Sequence, residues 1–368
     1  MRLEEISLRG FRNYSQETFS FVPGVNLIVG DNAQGKTNLL ESIFYLSVGK
    51  SFRTRKEKEL IQMGADFADL SAKLYSYGRK QDLRAILFAN RRKRQLYLGG
   101  VREKSMANLA GIMTTVLFCP EDLMILKGGA MTRRRFLDYG LCQLRPNYQK
   151  ALTEYQRLYD HKSRILKNYQ GNSGLLEALP EFNYRMAQVG AILISYRAKF
   201  MASLTSLTEE IHRDFSGGLE HLSIVYQTVS TVQDPLAPKS VLLEEILKHN
   251  ETHREAELRC GQCLTGPHKD DFDVSLDGVS LKAYGSQGQT RTAAISLKLA
   301  QRQVMKEDTG QEPILLLDDV LSELDPGRQD FILNQIQSGQ VFITCCEKDR
   351  LTKIGEVFPI QGGKLAIP

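Results

Sequence analysis

Nowhere does the sequence hold the ~20 consecutive apolar residues that a helix needs to cross a bilayer, so no spanning segment is expected. The N-terminus, Met1-Arg2-Leu3-Glu4-Glu5, lacks the basic-then-apolar order of a secretory signal. Low-complexity tracts are missing too. With 42% apolar and 25% charged residues, the chain is not a disordered tail, a fibrous protein or a disulfide-held miniprotein. A strong charge of one sign is also lacking: 48 Lys and Arg face 43 Asp and Glu, a net +5 that permits an anionic partner without requiring one. The expectation is a soluble, cytoplasmic protein with no membrane partner. Its 368 residues suffice for one large domain or two ordinary ones, with a substantial core.

Cysteine is sparse. Cys119 and Cys142 stand alone, Cys345 and Cys346 adjoin at the end of an apolar run, and Cys260 and Cys263 form a single C-x-x-C. A tetrahedral zinc site needs four ligands, so His253 and His268 would have to complete that pair, in a spacing that matches no familiar finger. Reduced thiols of a cytoplasmic protein are the plainer account, and no cofactor is expected there.

What is present begins with a short apolar segment, Val25-Asn26-Leu27-Ile28-Val29, after Pro23-Gly24, which reads as a buried strand following a turn. It runs into Gly30-Asp31-Asn32-Ala33-Gln34-Gly35-Lys36-Thr37 and then a helical pattern from Asn38 to Leu46. This is G-x-x-x-x-G-K-T in a strand–loop–helix setting, the ATP-binding P-loop. Glycines let the backbone fold around phosphates, and its N–H groups point inward at the dipole end of the helix. Lys36 supplies charge to the β- and γ-phosphates, and the Thr37 hydroxyl is a ligand for Mg²⁺.

Such a loop needs a metal-binding carboxylate at the tip of another strand. Pro313-Ile314-Leu315-Leu316-Leu317-Asp318-Asp319 supplies an aliphatic strand ending in two acids, where charge is unfavourable unless a cation is near. Asp318 is expected to hold Mg²⁺, and Asp319 to polarise the attacking water. Lys36, Asp318 and Asp319 are thus the expected catalytic set. Thr37 and Asp318 are separated by most of the chain, far more than a compact kinase or GTPase core needs, and no Asn-Lys-x-Asp guanine-reading motif occurs.

Before the acids comes Tyr284-Gly285-Ser286-Gln287-Gly288-Gln289-Thr290-Arg291, opening a helical stretch through Ala293, Ile295, Leu299 and Val304. It is a second anion-binding helix start. Two such sites crowd a single γ-phosphate, but the second is natural if it serves the nucleotide of a partner subunit. After the acids come the polar loop Ser322-Glu323-Leu324-Asp325-Pro326 and a strand, Gly339 to Thr344, with a polar tip.

In that order, these elements resemble an α/β, ABC-type P-loop ATPase head. The wider sequence resembles the RecF family of bacterial SMC-like recombination mediators. Gly10-Phe11-Arg12-Asn13-Tyr14, Gly49-Lys50-Ser51-Phe52-Arg53, Pro120-Glu121-Asp122-Leu123, Arg133-Arg134-Arg135-Phe136-Leu137-Asp138 and Gly266-Pro267-His268-Lys269-Asp270-Asp271 recur in its pattern. The resemblance implies a slow, DNA-stimulated, Mg²⁺-dependent ATPase that acts on duplex and gapped DNA as an ATP-dependent homodimer. It implies work with RecO and RecR, indirect loading of RecA in repair and the SOS response, and association with the nucleoid. Carried over, Gly30 to Thr37 bind ATP, Arg12 and Asn13 touch it from an N-terminal loop, and Ser286, Gly288 and Gln289 complete the partner's site. Two departures from the broader ABC pattern both suggest slow turnover. The second acid is Asp319 rather than Glu, and Thr344-Cys345-Cys346 lacks the histidine that often senses γ-phosphate. The other readings are the ATPase subunit of a membrane transporter and an ATP-dependent DNA clamp that does not hydrolyse.

The head is expected to form from residues 1–120 and 255–368, with a helical lobe, 121–254, inserted. From Tyr148, apolar positions recur at Leu152, Tyr155, Tyr159, Leu166 and Tyr169, with Lys162 filling one slot of the seam. Gln170 to Gly174 breaks it, and a second helix follows Pro180. This predicts a short antiparallel, coiled-coil-like hairpin whose first helix, Asn147 to Tyr169, is about 35 Å long. A projecting arm and a packed lobe satisfy the periodicity equally.

Basic clusters occur around Arg53 and Arg55, at Arg91 to Arg94, and at Arg133 and Arg134. Phosphate contact needs positive charge on one face and no base-reading residue. Arg53, Arg55, Arg92, Arg94, Arg133 and Arg134 are therefore candidate DNA contacts, although each cluster reads equally as surface charge, and the arginines from Arg133 could instead pair with Glu121 and Asp122.

Overall fold

The computed structural model describes residues 1–90, 92–169, 173–336, 338–346 and 354–366. Strands β1 (Arg2–Phe11), β2 (Tyr14–Ser20) and β3 (Val25–Val29) lead into helix α1 (Lys36–Val48). Then come β4 (Phe67–Ser76), β5 (Arg79–Phe88), β6 (Gln95–Leu98), β7 (Val101–Glu103) and β8 (Thr115–Phe118). The middle is mostly helical: α2 (Leu123–Lys127), α3 (Ala130–Leu144), α4 (Pro146–Asn168), α5 (Leu179–Phe215), β9 (Leu222–Gln227) and α6 (Lys239–Cys260). It continues through β10 (Asp271–Leu276), β11 (Val279–Ser280), α7 (Leu281–Tyr284) and α8 (Gln287–Thr309). The remainder is β12 (Ile314–Leu317), α9 (Pro326–Gln335), β13 (Val341–Cys345), β14 (Glu356–Gln361) and β15 (Lys364–Leu365). Among the described residues, no helix is long and apolar enough to cross a membrane.

The chain divides into two compact units, Met1–Asp122 with Lys298–Pro368, and Leu123–Leu297. The first holds two six-stranded sheets. One, in the order β2-β1-β4-β5-β6-β7, is antiparallel, and the alternating burial along β4 gives it one packed face. The other, β15-β14-β3-β13-β12-β8, is parallel apart from β15. Its inner strands are buried on both faces, which is why β12 reads as an unbroken aliphatic run with all four residues fully buried. The neighbours β3, β13 and β12 end at the same edge of this sheet, the usual place for a ligand in a parallel α/β fold.

The second unit packs α5 against both α4 and α6, over the three-stranded sheet β11-β10-β9. Ala187, Ala191 and Ile194 of α5 meet Leu242 and Ile246 of α6 in one core, while Ile165 and Leu166 of α4 meet Leu179 and Cys263 in another. The predicted hairpin is therefore part of a packed lobe. Its helices run antiparallel, with Glu154 paired to Arg185 and Tyr148 beside Arg197. Most of the predicted break, residues 170–172, lies outside the described residues.

Lys162, the polar member of the seam, is 1% exposed and bonds Glu257 of α6 at 2.6 Å. Glu257, equally buried, also accepts the Leu264 N–H at 2.7 Å, so the charge pair locks three segments together where an apolar side chain would only fill space.

The return to the first unit differs from the expected position, residue 255. Leu123–Leu297 keeps the Gly-Pro-His-Lys-Asp-Asp segment, β10 and the start of α8. The reason is pairing: β10 lies against β9, and the carboxylates that begin it are tied to arginines of α3 and α5. Asp270 is fully buried and receives Arg197 at 2.7 Å, the Tyr226 hydroxyl at 2.6 Å and the Thr228 hydroxyl at 2.7 Å. Asp271 pairs with Arg133 at 2.5 Å. Gly266, at φ 126°, holds a backbone conformation that favours glycine, and a Cβ there would come within 2.2 Å of the Tyr155 hydroxyl, so a side chain would displace Tyr155.

Candidate active site

The phosphate loop leaves β3 and curls around its own lysine. Lys36 is 4% exposed, and its ammonium donates to the carbonyls of Gly30 at 2.6 Å and Asp31 at 3.0 Å and approaches Cys346 Sγ at 3.3 Å. Those three partners match its three N–H donors. The Cys346 thiol also lies 3.2 Å from Asn32 Oδ1. Two glycines fix the loop's shape. A Cβ on Gly30 would lie 2.3 Å from the Ile360 carbonyl, and one on Gly35, at φ 120°, would strike the Asn13 side chain at 2.7 Å. Ala33 takes a left-handed φ of 64° between them.

An N-terminal turn braces this loop from outside. Asn13 Nδ2 donates to the Gln34 carbonyl at 2.9 Å, the Tyr14 hydroxyl to the Gly35 carbonyl at 2.9 Å, and Asn38 Nδ2 to Asn13 Oδ1 at 2.8 Å. On the other side, Gln34 accepts the N–H of Gly362 at 2.6 Å through its side chain and that of Gly363 at 2.9 Å through its carbonyl. Arg12, at φ 52°, grips Glu41 of α1 with two bonds of 2.8 Å and gives a third to the Glu59 carbonyl. Glu41 is fully buried and also accepts from Ser51, with Arg53 at 3.7 Å. Sequence reasoning placed Arg12 and Asn13 beside the nucleotide but missed Glu41. The available signal was a carboxylate on the otherwise apolar face of α1, which needs a buried cation.

The acids sit where the strand pattern puts them. Thr37 Oγ1 donates to Asp318 Oδ1 at 2.9 Å, joining the two expected Mg²⁺ ligands directly. Thr344, at the end of β13, holds both carboxylates: its hydroxyl lies 3.0 Å from Asp318 Oδ1 and 3.3 Å from Asp319 Oδ1, and it accepts the Asp319 N–H at 2.8 Å. Thr344 was recognisable as a polar strand tip, but not as the organiser of the acid pair. Asp319 adopts φ 53°, a left-handed conformation that Asp tolerates better than most residues. A threonine hydroxyl and a carboxylate are hard oxygen donors that suit Mg²⁺, which normally takes its remaining ligands from phosphates and water. Among the described residues, no group of three or more His, Cys, Asp or Glu is placed to hold a metal by itself.

Burial pushes the Asp318 carboxyl up to about 6, and the charge of Asp319 adds to the push, while the hydroxyls of Thr37 and Thr344 pull the other way. Against an unfolded value near 4, the ionised form opposes folding above pH 6 by about 2–3 kcal/mol, and the effect vanishes below about pH 4, where both states are protonated. Asp318→Asn should therefore raise the stability of the nucleotide-free protein by that amount at pH 8 and leave it unchanged near pH 4. Urea denaturation at the two pH values measures this.

Ser286 stands at the start of α8 in a reciprocal cap. Its hydroxyl accepts the Gln289 N–H at 3.2 Å, and its own N–H donates to Gln289 Oε1 at 3.2 Å. Ser286 is exposed and Gly288 partly so, and the preceding Tyr284 is 79% exposed.

The candidate DNA contacts separate into distinct environments. Arg94 reaches back to Glu57 at 2.5 Å, the Gly49 carbonyl at 2.6 Å and the Tyr45 hydroxyl at 3.1 Å, pinning the β5–β6 connection to the segment around Glu57. Arg53, Arg55 and Arg92 are exposed, and Arg53 donates to Asn38 at 2.7 Å. Arg91 lies outside the described residues. Arg133 requires a correction: it is 3% exposed and held by Asp271 and the carbonyls of Ile125 and Gly128, so it offers no phosphate a contact. Arg134 donates to the Asp270 carbonyl at 2.6 Å. Nor does Asp122 pair with these arginines; its partners are Lys298 and the Cys119 N–H. In the C-x-x-C region, His253 stacks on His249, and His268 lies between the Tyr155 hydroxyl and the Cys263 carbonyl.

Residues 2–363 match the family model for the RecF/RecN/SMC N-terminal domain. The chain is 38% identical over 350 residues to the DNA replication and repair protein RecF of Acetivibrio thermocellus, covering 95% of this chain and 94% of that one. It is 34% identical to the RecF of Clostridium kluyveri over an alignment of 371 residues that covers 100% of both chains. Among solved structures, the recombination mediator protein RecF-ATPrS in the RecFOR pathway superposes with a TM-score of 0.92 at 32% identity, covering 99% of this chain and 97% of that one. The Smc head domain of Pyrococcus furiosus, with an extended coiled coil and bound to the C-terminal domain of ScpA, shares the fold at a TM-score of 0.55 and 15% identity, over 98% of this chain and 93% of that one. None of these matches favours the ATPase subunit of a membrane transporter.

Proposed function

The chain belongs to the RecF/RecN/SMC family, among its RecF proteins, and from that premise we propose that it is an ATP-dependent DNA-binding protein of recombinational repair. The observation that carries the reading is the 2.9 Å contact between Thr37 and Asp318, which joins the two halves of a Mg²⁺-ATP site across 281 positions of sequence. On binding, Lys36 exchanges its own loop's carbonyls for β- and γ-phosphate oxygens, and the loop N–H groups cradle the rest. Mg²⁺, held by Thr37 and Asp318, would supply positive charge to the phosphates. Asp319 orients the attacking water and accepts its proton, while Thr344 keeps the two acids at their separate tasks. A short second carboxylate and the lack of a histidine after Thr344 make turnover slow.

ATP acts here as a dimerisation ligand. Each triphosphate is closed over by Ser286, Gly288 and Gln289 of a second copy, and affinity for the closed pair alone shifts the equilibrium. The closed pair holds duplex DNA near a single-strand gap and works with RecO and RecR to help load RecA in the cytoplasm. Arg53, Arg55 and Arg92 form the phosphate-facing side, with Arg94 as its internal staple, and DNA occupancy stimulates hydrolysis.

Light scattering with and without Mg²⁺-ATP and gapped duplex tests this. The parent should double in mass with ATP. Ser286→Arg should bind ATP normally yet remain monomeric. A parent that is monomeric under every condition excludes the shared site.

A further inference from the structure

We propose that Glu220, braced by His212, is a positioning residue that fixes Gln289 and so presents the Ser286 hydroxyl to the triphosphate held by a second copy of the chain. The inference rests on the shared-site reading above and assigns what shapes the second half of that site.

The contacts form a continuous chain within the second unit. Gln289 uses its carboxamide oxygen to accept the Ser286 N–H, and its Nε2 donates to Glu220 Oε1 at 3.2 Å. The other Glu220 oxygen lies 3.1 Å from His212 Nε2. His212 is fully buried near the C-terminal end of α5, and its second ring nitrogen is 3.3 Å from Ser296 Oγ, back on α8. The start of α8 is thus tied at position 289 to Glu220, just beyond α5, and at position 296 to His212 of α5 itself, about two helical turns apart.

A reciprocal cap alone would satisfy the first N–H groups of α8. The link to Glu220 does something further: it occupies the remaining end of the Gln289 side chain and holds its rotamer. With both ends of that carboxamide engaged inside the chain, Gln289 supports the site and Ser286 is the residue that contacts the nucleotide. The Ser286 hydroxyl accepts from Gln289 N–H and retains its own hydrogen for an outside acceptor, such as a phosphate oxygen. Gly288, without a side chain, lets that acceptor approach the helix start.

The arrangement needs hydrogen bonding and not a charge. Burial lowers the proton affinity of His212, so its ring is neutral at pH 7, with one nitrogen donating and the other accepting. A glutamine at position 220 could still accept from Gln289 and donate to His212. Alanine could do neither.

The test compares Glu220→Ala, Glu220→Gln, Gln289→Ala and the double alanine variant of the full chain. The dimer midpoint at saturating Mg²⁺-ATP is read by light scattering, and binding of a fluorescent ATP analogue is read on dilute monomer. Glu220→Ala should weaken the dimer about tenfold, the upper end for losing one ordinary hydrogen bond, and leave monomer ATP affinity unchanged. Glu220→Gln should stay within about twofold of the parent, Gln289→Ala should match Glu220→Ala, and the double variant should be no worse than either single one. A Glu220→Ala protein that dimerises like the parent, while Ser286→Arg does not, overturns the proposal. Equal losses in Glu220→Ala and Glu220→Gln overturn it as well. Should Glu220→Ala fail to fold, Gln289→Ala and Glu220→Gln probe the same link, and a parent-like Gln289→Ala rejects it. Failure of the shared site itself shows separately, as a parent that never dimerises, and removes this proposal with it.

Discussion

Lys36→Met should abolish ATP-driven dimerisation and lower phosphate release at least about 100-fold, while leaving the fold intact. In the nucleotide-free protein the ammonium only closes its own loop, through Gly30, Asp31 and Cys346. Methionine fills a similar volume, and the carbonyls it releases belong to Gly30, half-buried, and Asp31, exposed, where water can replace the lost donors. The ATP-bound state has no such substitute, because the β- and γ-phosphates lose their fixed positive charge. Phosphate release and light scattering, with thermal melting as the control, measure the two sides. Asp319→Asn is the informative companion. It should slow release but keep the dimer, since the role proposed for Asp319 is to orient water and not to grip phosphate. Release equal to the parent's would favour an ATP-dependent clamp that does not hydrolyse.

Arg197→Met should destabilise the second unit by about 3–5 kcal/mol, the range for breaking a buried charge pair from one side. Arg197 is 2% exposed and bonds Asp270 at 2.7 Å, Asp138 at 2.9 Å, the Pro267 carbonyl at 2.7 Å and the Tyr148 hydroxyl at 3.0 Å. Burial pushes the Asp270 carboxyl up, and Arg197 is the strongest influence holding it down. Without the guanidinium, Asp270 must protonate or remain an unpaired buried charge. Urea denaturation followed by far-UV circular dichroism reads the loss. Adding Asp270→Asn to Arg197→Met should recover part of it, because no uncompensated charge then remains. An unchanged denaturation midpoint in Arg197→Met would show that the hub contributes no stability.

The strand–loop–helix around Lys36 and the aliphatic strand ending at Asp318 were legible because their chemistry demands residue types in fixed order. A phosphate cradle needs glycines before its lysine, and a buried strand advertises itself as an apolar run. The two helices that follow Arg145 were legible for the same reason, since an apolar seam at steps of three and four has few other meanings. What escaped depended on partners far away in sequence. Lys162 looked like a flaw in its seam until Glu257 explained it. The triple arginine looked like surface charge, but Arg133 meets Asp271 across 138 positions. Glu41 showed only as a carboxylate among apolar residues and Thr344 only as a polar strand tip, because the role of each depends on what it touches in space. The boundary at residue 255 missed for a related reason: strand pairing between β9 and β10 decided it, and pairing partners are not encoded locally.

The two bonds from Gly362 and Gly363 to Gln34 bear on the order of events during synthesis. The Gln34 side chain meets a support that the ribosome adds 328 residues after it. A nascent chain can translate the whole glycine loop and α1 without being able to set the loop's final curvature. The loop therefore takes its final form only once β14 is paired with β3, near the end of synthesis.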